Sequence, residues 1–303
     1  MPQRLSTKSG WRRILNSSNA THRRLGVVGH PISHSLSPAL HNAAYGTMGL
    51  EWAYDAIDIE PGGLGDFVNA LDSTWRGLSV TMPHKTEALA ISDEVDVIAR
   101  RTGAVNTLVF DYDVEGNRSI SGYNTDVTGI VWALGETGVH TAVHVAVVGG
   151  GATAASAIVA SAELGAERVT ILVRNSARAQ PLIAVGASVG VVVALHDIAD
   201  LASVAPVDLA ISTLPGDVTT SLASLPRVSR AALLDVAYNP WPSIRGDAWV
   251  AETPSGGIVV SGKAMLAHQA LVQVRLFTQG DGSLSLPTEE SVRKAMFHMV
   301  QLA

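Results

Sequence analysis

Apolar residues in this chain fall into short unbroken runs and into runs spaced at helical period, and the two kinds alternate. Residues 25–29 read as a strand, and a helical run opens near Pro38. A second strand is expected over about 52–59 and a helix over about 62–71. "GLSVTMPHKTEAL" reads as strand, proline turn and helix start, and "NTLVF" and "SISGYNTD" are strand-like on either side of a turn at 115–116. A helical run over 126–134 then opens a second unit. In it, "VHVAVVGGGATAASAIVASAELGAERVTILVRN" reads as buried strand, glycine turn, Ala-rich helix, turn at Gly165 and a second buried strand over 169–173. Further strands are expected at 190–195, 209–212, 232–236 and "GGIVVSG", followed by a helical tail over 263–303 broken near 280–287. Strands alternating with helices imply an α/β chain of two units, the second built on a doubly wound parallel sheet.

At 303 residues the chain has room for two cores, and 47% hydrophobic against 16% charged residues describes a folded globule. One stretch, 137–162, lacks Lys, Arg, Asp and Glu, which raises a membrane span. The three glycines at 149–151 sit inside it, so strand, turn and helix explain the run better. A formal charge of −6 without a basic cluster argues against nucleic acid. The absence of Cys excludes thiolate chemistry and Cys-ligated zinc, and it fits a reducing cytoplasm. Residues 1–24 hold six Lys or Arg and no acid, and read as a flexible solvated tail. A transit peptide shares that composition, but no apolar signal segment accompanies it.

The strongest local signal is Gly149-Gly150-Gly151-Ala152-Thr153-Ala154, a GxGxxA between a buried strand and a helix. Its first glycine permits the tight turn, its second lets a pyrophosphate approach the backbone, and the small third residue lets helix and strand pack closely. A dinucleotide site of Rossmann type is the reading; a plain strand-to-helix connection is the bland alternative. An NAD site would carry an acid at the end of the next strand, yet no acid stands between Glu167 and Asp197. Arg174, Asn175 and Arg178 stand there instead. Two guanidiniums suit the 2′-phosphate of NADP, and two solvated arginines are the alternative.

Lys85 follows a strand and the Pro83 turn, and Asn124, Thr125 and Asp126 mark the border between the units. Alone, Lys85 is a surface lysine and Asp126 a helix N-cap. Together they could bind a secondary hydroxyl and pass its proton as hydride leaves the same carbon. Two hydroxyls, Ser35 and Ser37, precede a helix with no acid near them and suit a small anion. The His30, His34 and His41 group and the His140 and His144 pair lack carboxylate partners, so no metal is expected. No serine has an elbow motif for nucleophilic catalysis.

In order, "GHPISHSLSPALHNAAY", "GLSVTMPHK", "GAVNTL", "GYNTD", "VVGGGATAAS", "LDVAYNPWPS" and "SGKAMLAHQA" resemble the shikimate dehydrogenase family from about residue 25 onward. The resemblance implies an N-terminal substrate domain over 25–124, completed by helices over 263–303, and an NADP-binding Rossmann domain over 125–262. It implies that Ser35, Ser37 and Tyr238 hold the shikimate carboxylate. The ring hydroxyls fall to Thr81, Lys85, Asn106, Asp126 and Gln269, with Lys85 and Asp126 as the catalytic pair. The cofactor falls to the 149–154 turn, to Arg174, Asn175 and Arg178, and to backbone near Thr213 and Gly262. The activity implied is reversible NADPH-dependent reduction of 3-dehydroshikimate in aromatic amino-acid biosynthesis. The expected partner is that small molecule, with no nucleic acid or membrane, in a monomer or homodimer. Two departures stand out. Val173-Arg174-Asn175 replaces the family's frequent Asn-Arg-Thr, and His84 stands where Phe is common. His84 is expected to face solvent, because neighbours on an extended segment point apart. A broader quinate/shikimate dehydrogenase and a non-catalytic shikimate-sensing module are the alternatives; Ser37 with Arg174 speaks against the first, Lys85 with Asp126 against the second.

Overall fold

The computed structural model describes residues 22–302 except 217, 219, 254 and 255. Two six-stranded sheets organise it. The first contains β1 (Arg23–Gly29), β2 (Trp52–Asp58), β3 (Trp75–Val80), β4 (Glu94–Val95), β5 (Thr107–Tyr112) and β6 (Arg118–Tyr123). Between them lie α1 (Ser37–Thr47), α2 (Leu64–Asn69), α3 (Lys85–Ile91) and α4 (Val97–Thr102), and α5 (Asp126–Glu136) follows. The order β2-β1-β3-β5-β6-β4 is mixed, since β5 runs antiparallel to both β3 and β6. The tight turn at Gly116, where φ is positive, makes that hairpin possible.

The second sheet holds β7 (His144–Val148), β8 (Arg168–Val173), β9 (Val192–Asp197), β10 (Val207–Ser212), β11 (Arg227–Asp235) and β12 (Ile258–Ser261). It is parallel throughout, in the order β12-β11-β10-β7-β8-β9. Helices α6 (Ala152–Glu163), α7 (Ser176–Ala179), α8 (Pro181–Ser188) and α9 (Ile244–Glu252) connect its strands. The order reverses between β7 and β10, and in doubly wound sheets that reversal is where ligands bind, at the strands' carboxyl ends. The strands are apolar along their length because both faces are covered: Val145, Val147, Ile171, Ile211 and Leu234 share one core with α5 and α6, while Val148, Leu172, Ala210 and Leu233 share another with Trp249.

The chain ends in α10 (Gly262–Gln279) and α11 (Glu289–Leu302). Their Leu271, Val274, Phe277, Val292 and Met296 pack with Leu25 and Val27 of β1 and Leu40 and Ala44 of α1, so the last helices return to the first sheet. Helix α10 also crosses α5 closely. A side chain at Gly129 would lie 2.9 Å from both Gln269 Cβ and Met265 O, so only glycine permits this crossing. No described helix is long and apolar enough to cross a membrane.

Several boundaries differ from the sequence expectation, among them β11, which begins at Arg227 rather than near 232, and α2, which spans Leu64–Asn69 rather than about 62–71. The first strand begins at Arg23, not at residue 25, and pairs Arg23 and Arg24 with Trp52 and Ala53. Backbone pairing orders both arginines, and Arg24, though exposed, stacks over Trp75, where charge alone suggests a flexible tail. Residues 1–21, on which the rest of the tail reading falls, lie outside the described residues. The third strand of the second sheet covers 192–197 rather than 190–195, because Gly190 has a positive φ and ends the preceding turn.

A buried ion pair locks the carboxyl end of β11. Asp235, wholly buried, accepts from Arg245 Nε at 2.9 Å, Arg245 Nη2 at 3.1 Å and Ser243 Oγ at 2.7 Å. Asp235→Ala would leave a buried guanidinium without its counter-charge. It should cost about 3–5 kcal/mol in urea unfolding; a loss below about 1 kcal/mol would show that water or another group compensates.

Candidate active site

A cavity of about 300 Å³ opens between the two sheets. Ser35, Ser37, Thr81, Lys85, Asn106, Asp126, Tyr238, Gly262 and Gln269 all line it, and Thr153 at the start of α6 closes one side. Residues from 35 to 269 thus converge because the strand ends of both sheets face one cleft.

Lys85 is the first residue of α3 and Asp126 the first of α5. Both are buried, and the Lys85 ammonium donates to Asp126 Oδ2. Asn106 Nδ2 donates to the other oxygen, Oδ1, at 2.7 Å and to Thr125 Oγ1 at 2.9 Å. The side-chain carbonyl of Asn106 accepts from Thr125 N at 2.9 Å, which fixes its amide. Asp126 is therefore not an N-cap: Thr125 holds that position, and the Asp126 carboxylate turns to the lysine and the amide instead. Gln269 Oε1 sits within 3.2 Å of Thr125 Oγ1, on the same side of the cleft.

At the other end, Ser35 Oγ accepts from Ser37 N at 3.3 Å, which tightens the turn into α1 and presents both hydroxyls to the cavity. Tyr238 reaches across from the loop after β11 and hydrogen-bonds the Leu36 backbone; burial nevertheless pushes its phenol above the ordinary range.

His84 departs from expectation. It is fully buried, with Nε2 2.8 Å from Ile59 O and Nδ1 3.0 Å from Glu87 Oε2. The segment is not extended at this point, because α3 begins at residue 85 and the first helical turn directs His84 inward. Burial opposes ionisation of Glu87, but hydrogen bonds from His84, Gly65 N and Leu64 N outweigh it and hold the carboxyl below its ordinary range.

The glycine turn has the shape a dinucleotide requires. Gly149 has φ of 110°, and a side chain there would meet Thr213 Oγ1 at 2.4 Å. Gly151 faces open space, and the first N–H groups of α6, at Ala152 and Thr153, lie beyond reach of intrahelical acceptors. Ala154 is fully buried against the sheet. Arg174 and Arg178 are exposed beyond the end of β8, next to the turn, with no side-chain partner among the described residues. Asn175 accepts from Arg178 N at 3.2 Å and so caps α7, which orders the segment carrying both arginines. An anionic 2′-phosphate fits this donor set; no carboxylate stands in the way.

Beneath the cavity lies a group that sequence patterns did not single out: His41, Tyr45, Tyr54, Ser79 and Gln273. One cue was present, since Gln273 follows Gln269 by four residues and shares its face of α10. His41 stacks on Tyr54 at 4.0 Å with the rings 7° from parallel. Burial drives its pKa down to about 3, against a hydrogen bond to Gln273. It is neutral when folded and titrates near 6.5 when unfolded, so its contribution to stability is full above about pH 6.5 and lost as pH falls toward 3. Between pH 7 and pH 5 the loss should be about 2 kcal/mol. Urea unfolding of the wild type at both pH values should show a drop that His41→Gln lessens by that amount; equal drops would place the ring in water. Among the described residues no cluster of three His, Asp or Glu is arranged to hold a metal.

A glycine-turn sheet with donors for a dinucleotide, facing a lysine–aspartate pair across a hydroxyl-lined cleft, is the architecture of a two-lobed dehydrogenase. The chain belongs to the shikimate dehydrogenase family. Residues 27–108 match the shikimate dehydrogenase substrate binding domain. A shikimate dehydrogenase (NADP(+)) of Moorella thermoacetica is 33% identical over 289 residues, covering 90% of this chain and 93% of the relative. The crystal structure of Mycobacterium tuberculosis shikimate dehydrogenase superposes with a TM-score of 0.77 at 38% identity, covering 93% of this chain and 100% of that one. A Thermus thermophilus shikimate 5-dehydrogenase, solved in complex with NADP(H) and shikimate, has a TM-score of 0.74 and 30% identity over 91% of this chain and 99% of its own.

Proposed function

We propose that this chain catalyses the reversible NADPH-dependent reduction of 3-dehydroshikimate to shikimate, in chorismate and aromatic amino-acid biosynthesis. One observation carries the reading: a single cavity runs from the Ser35 and Ser37 hydroxyls past the Lys85–Asp126 pair to the start of α6. Residues 23–124 with 263–302 form the substrate side and residues 125–262 the cofactor side.

The hydroxyls of Ser35, Ser37 and Tyr238 donate hydrogen bonds to the substrate carboxylate. Thr81, Asn106 and Gln269 bind ring hydroxyls, and Lys85 and Asp126 hold the reacting oxygen. The glycine turn, with Ala152 to Ala154, takes the pyrophosphate; Arg174 and Arg178 take the 2′-phosphate, and Thr213 and Gly262 border the nicotinamide side. NADPH bound there supplies the hydride that adds to the carbonyl carbon. As charge develops on the carbonyl oxygen, Lys85 donates its proton to it and Asp126 stabilises the lysine in line. In the reverse direction neutral Lys85 accepts the hydroxyl proton. The apolar walls at Val27, Val80, Met265 and Leu266 limit water around the transfer.

Replacing both serines, Ser35→Ala with Ser37→Ala, should raise KM for shikimate at least about tenfold and change kcat less, because the carboxylate is remote from the reacting carbon. An unchanged KM would remove the carboxylate from that turn. The reading itself is tested by assaying shikimate and quinate, each with NADP and NAD, by nicotinamide absorbance. Shikimate with NADP should turn over fastest. Equal or faster turnover of quinate would favour the broader quinate/shikimate enzyme, and no turnover with either would favour a binding module.

A further inference from the structure

The group beneath the cavity forms a directed chain of donors. The backbone carbonyl oxygen of Asn106 can only accept, and Gln273 Nε2 lies 3.1 Å from it, so the Gln273 amide has one allowed orientation. Its Nε2 also donates to Thr107 Oγ1 at 2.8 Å. Its Oε1 then faces Ser79 Oγ at 2.8 Å and His41 Nε2 at 3.2 Å, and both must donate to it. His41 therefore carries its proton on Nε2, and its Nδ1 accepts from Tyr45 OH at 3.2 Å. Tyr54 OH, donating to Ser79 Oγ at 2.6 Å, sends the serine proton the same way. Beyond Gln273 the sense continues: Thr107 Oγ1 donates to Asn106 Oδ1 at 2.8 Å, and Asn106 Nδ2 donates to Asp126 Oδ1 at 2.7 Å.

We propose that Gln273, fixed by the Asn106 backbone carbonyl and held by donation from His41 and Ser79, is a positioning residue for the reaction: through Thr107 it holds the Asn106 amide in the one orientation that donates to Asp126 opposite Lys85. This rests on the function proposed above. The five links Tyr45, His41, Gln273, Thr107 and Asn106 all point head to tail, so each polarises the next toward the carboxylate. Every member of the chain is buried, so these bonds form in a low-dielectric setting that strengthens them. Reversal of the Asn106 amide would set its oxygen against the Asp126 carboxylate and its nitrogen against Thr125 N–H, two repulsions in place of two bonds. Asn106 is thus held from both sides, by Thr125 in the loop before α5 and by Gln273 through Thr107. The inner anchor comes from α10, whose one face also carries Gln269 to the same cleft.

The test uses the full chain and a pair of substitutions at the middle link. Thr107→Val keeps the volume but removes both the acceptor for Gln273 and the donor to Asn106; Thr107→Ser keeps the hydroxyl. In the direction of shikimate oxidation, Thr107→Val should lose about tenfold or more in kcat while KM for NADP stays within about twofold, and Thr107→Ser should recover most of the loss. A second pair repeats the test at the far end, where His41→Gln keeps a donor toward Gln273 and His41→Phe does not. His41→Gln should be the faster of the two at equal thermal stability. Thr107→Val and Thr107→Ser with the same kcat, or His41→Phe as fast as His41→Gln, would overturn the proposal. Inactive wild-type protein would instead overturn the functional reading on which it rests.

Discussion

Lys85→Ala should lose at least about 10²-fold in kcat for shikimate oxidation and keep its KM for NADP nearly unchanged. Removing a positioned acid–base group costs about 10²–10⁴-fold, and Lys85 is placed for that role by two features. It is buried at the first turn of α3, and among the described residues its ammonium meets one carboxylate, that of Asp126. The donors proposed for the cofactor lie at the second sheet, so the substitution does not touch them. Alanine also leaves Asp126 buried with Asn106 as its remaining side-chain donor, so a modest loss of stability should accompany the kinetic loss. Lys85→Met, which restores volume without the amine, separates the two: it should melt nearer the wild type and remain slow. If either variant kept most of its kcat, the proton would have to travel by another route and Lys85 would be a binding residue.

Cofactor choice should respond nearly as strongly to Arg174. Arg174→Asp removes the charge-assisted donor proposed for the 2′-phosphate and puts a carboxylate where NAD enzymes bind the ribose hydroxyl. The preference for NADP over NAD, as the ratio of kcat/KM values, should fall by about 10–10²-fold. Arg178 remains on the ordered segment capped by Asn175, so some preference should persist. A ratio unchanged by Arg174→Asp would mean that the 2′-phosphate is recognised elsewhere.

Much of the architecture is legible in the sequence because its signals are local. A buried strand, three glycines and an Ala-rich run announce β7, the turn and α6 within about twenty residues, and chirality then leaves few ways to continue a βαβ unit. The first sheet is harder. Its mixed order depends on a hairpin between β5 and β6 whose strands look alike to those of a parallel unit, and β4 is only two residues long. The start of β1 lies two residues before the expected one because basic character argues for solvent, whereas strand pairing and Trp75 decide the place of the two arginines.

The site is legible where motifs carry it and opaque where distant segments complete it. Lys85, Asp126 and the two serines stand in short recognisable stretches. His84 escapes a sequence reading because its burial depends on where α3 begins, and a one-residue change in that boundary turns a side chain from solvent to core. The chain from Tyr45 to Asn106 has no sequence signature: His41 and Gln273 are 232 positions apart, and nothing local to either marks the bond. His41 belongs to a histidine cluster that invites a metal reading, yet the fold gives it a tyrosine face and a glutamine carbonyl.

Every role proposed above depends on direct transfer of a hydride and a proton in one turnover, between a nicotinamide and a shikimate-type substrate in the cleft between the sheets. That transfer is tested most directly with NADPH carrying deuterium at each of the two C4 positions of the nicotinamide in turn, mixed with 3-dehydroshikimate and the full chain. Direct hydride transfer requires that one of the two labels appear quantitatively on the product carbon that bears the new hydroxyl. Consumption of NADPH without label on that carbon, or no consumption at all, would contradict it.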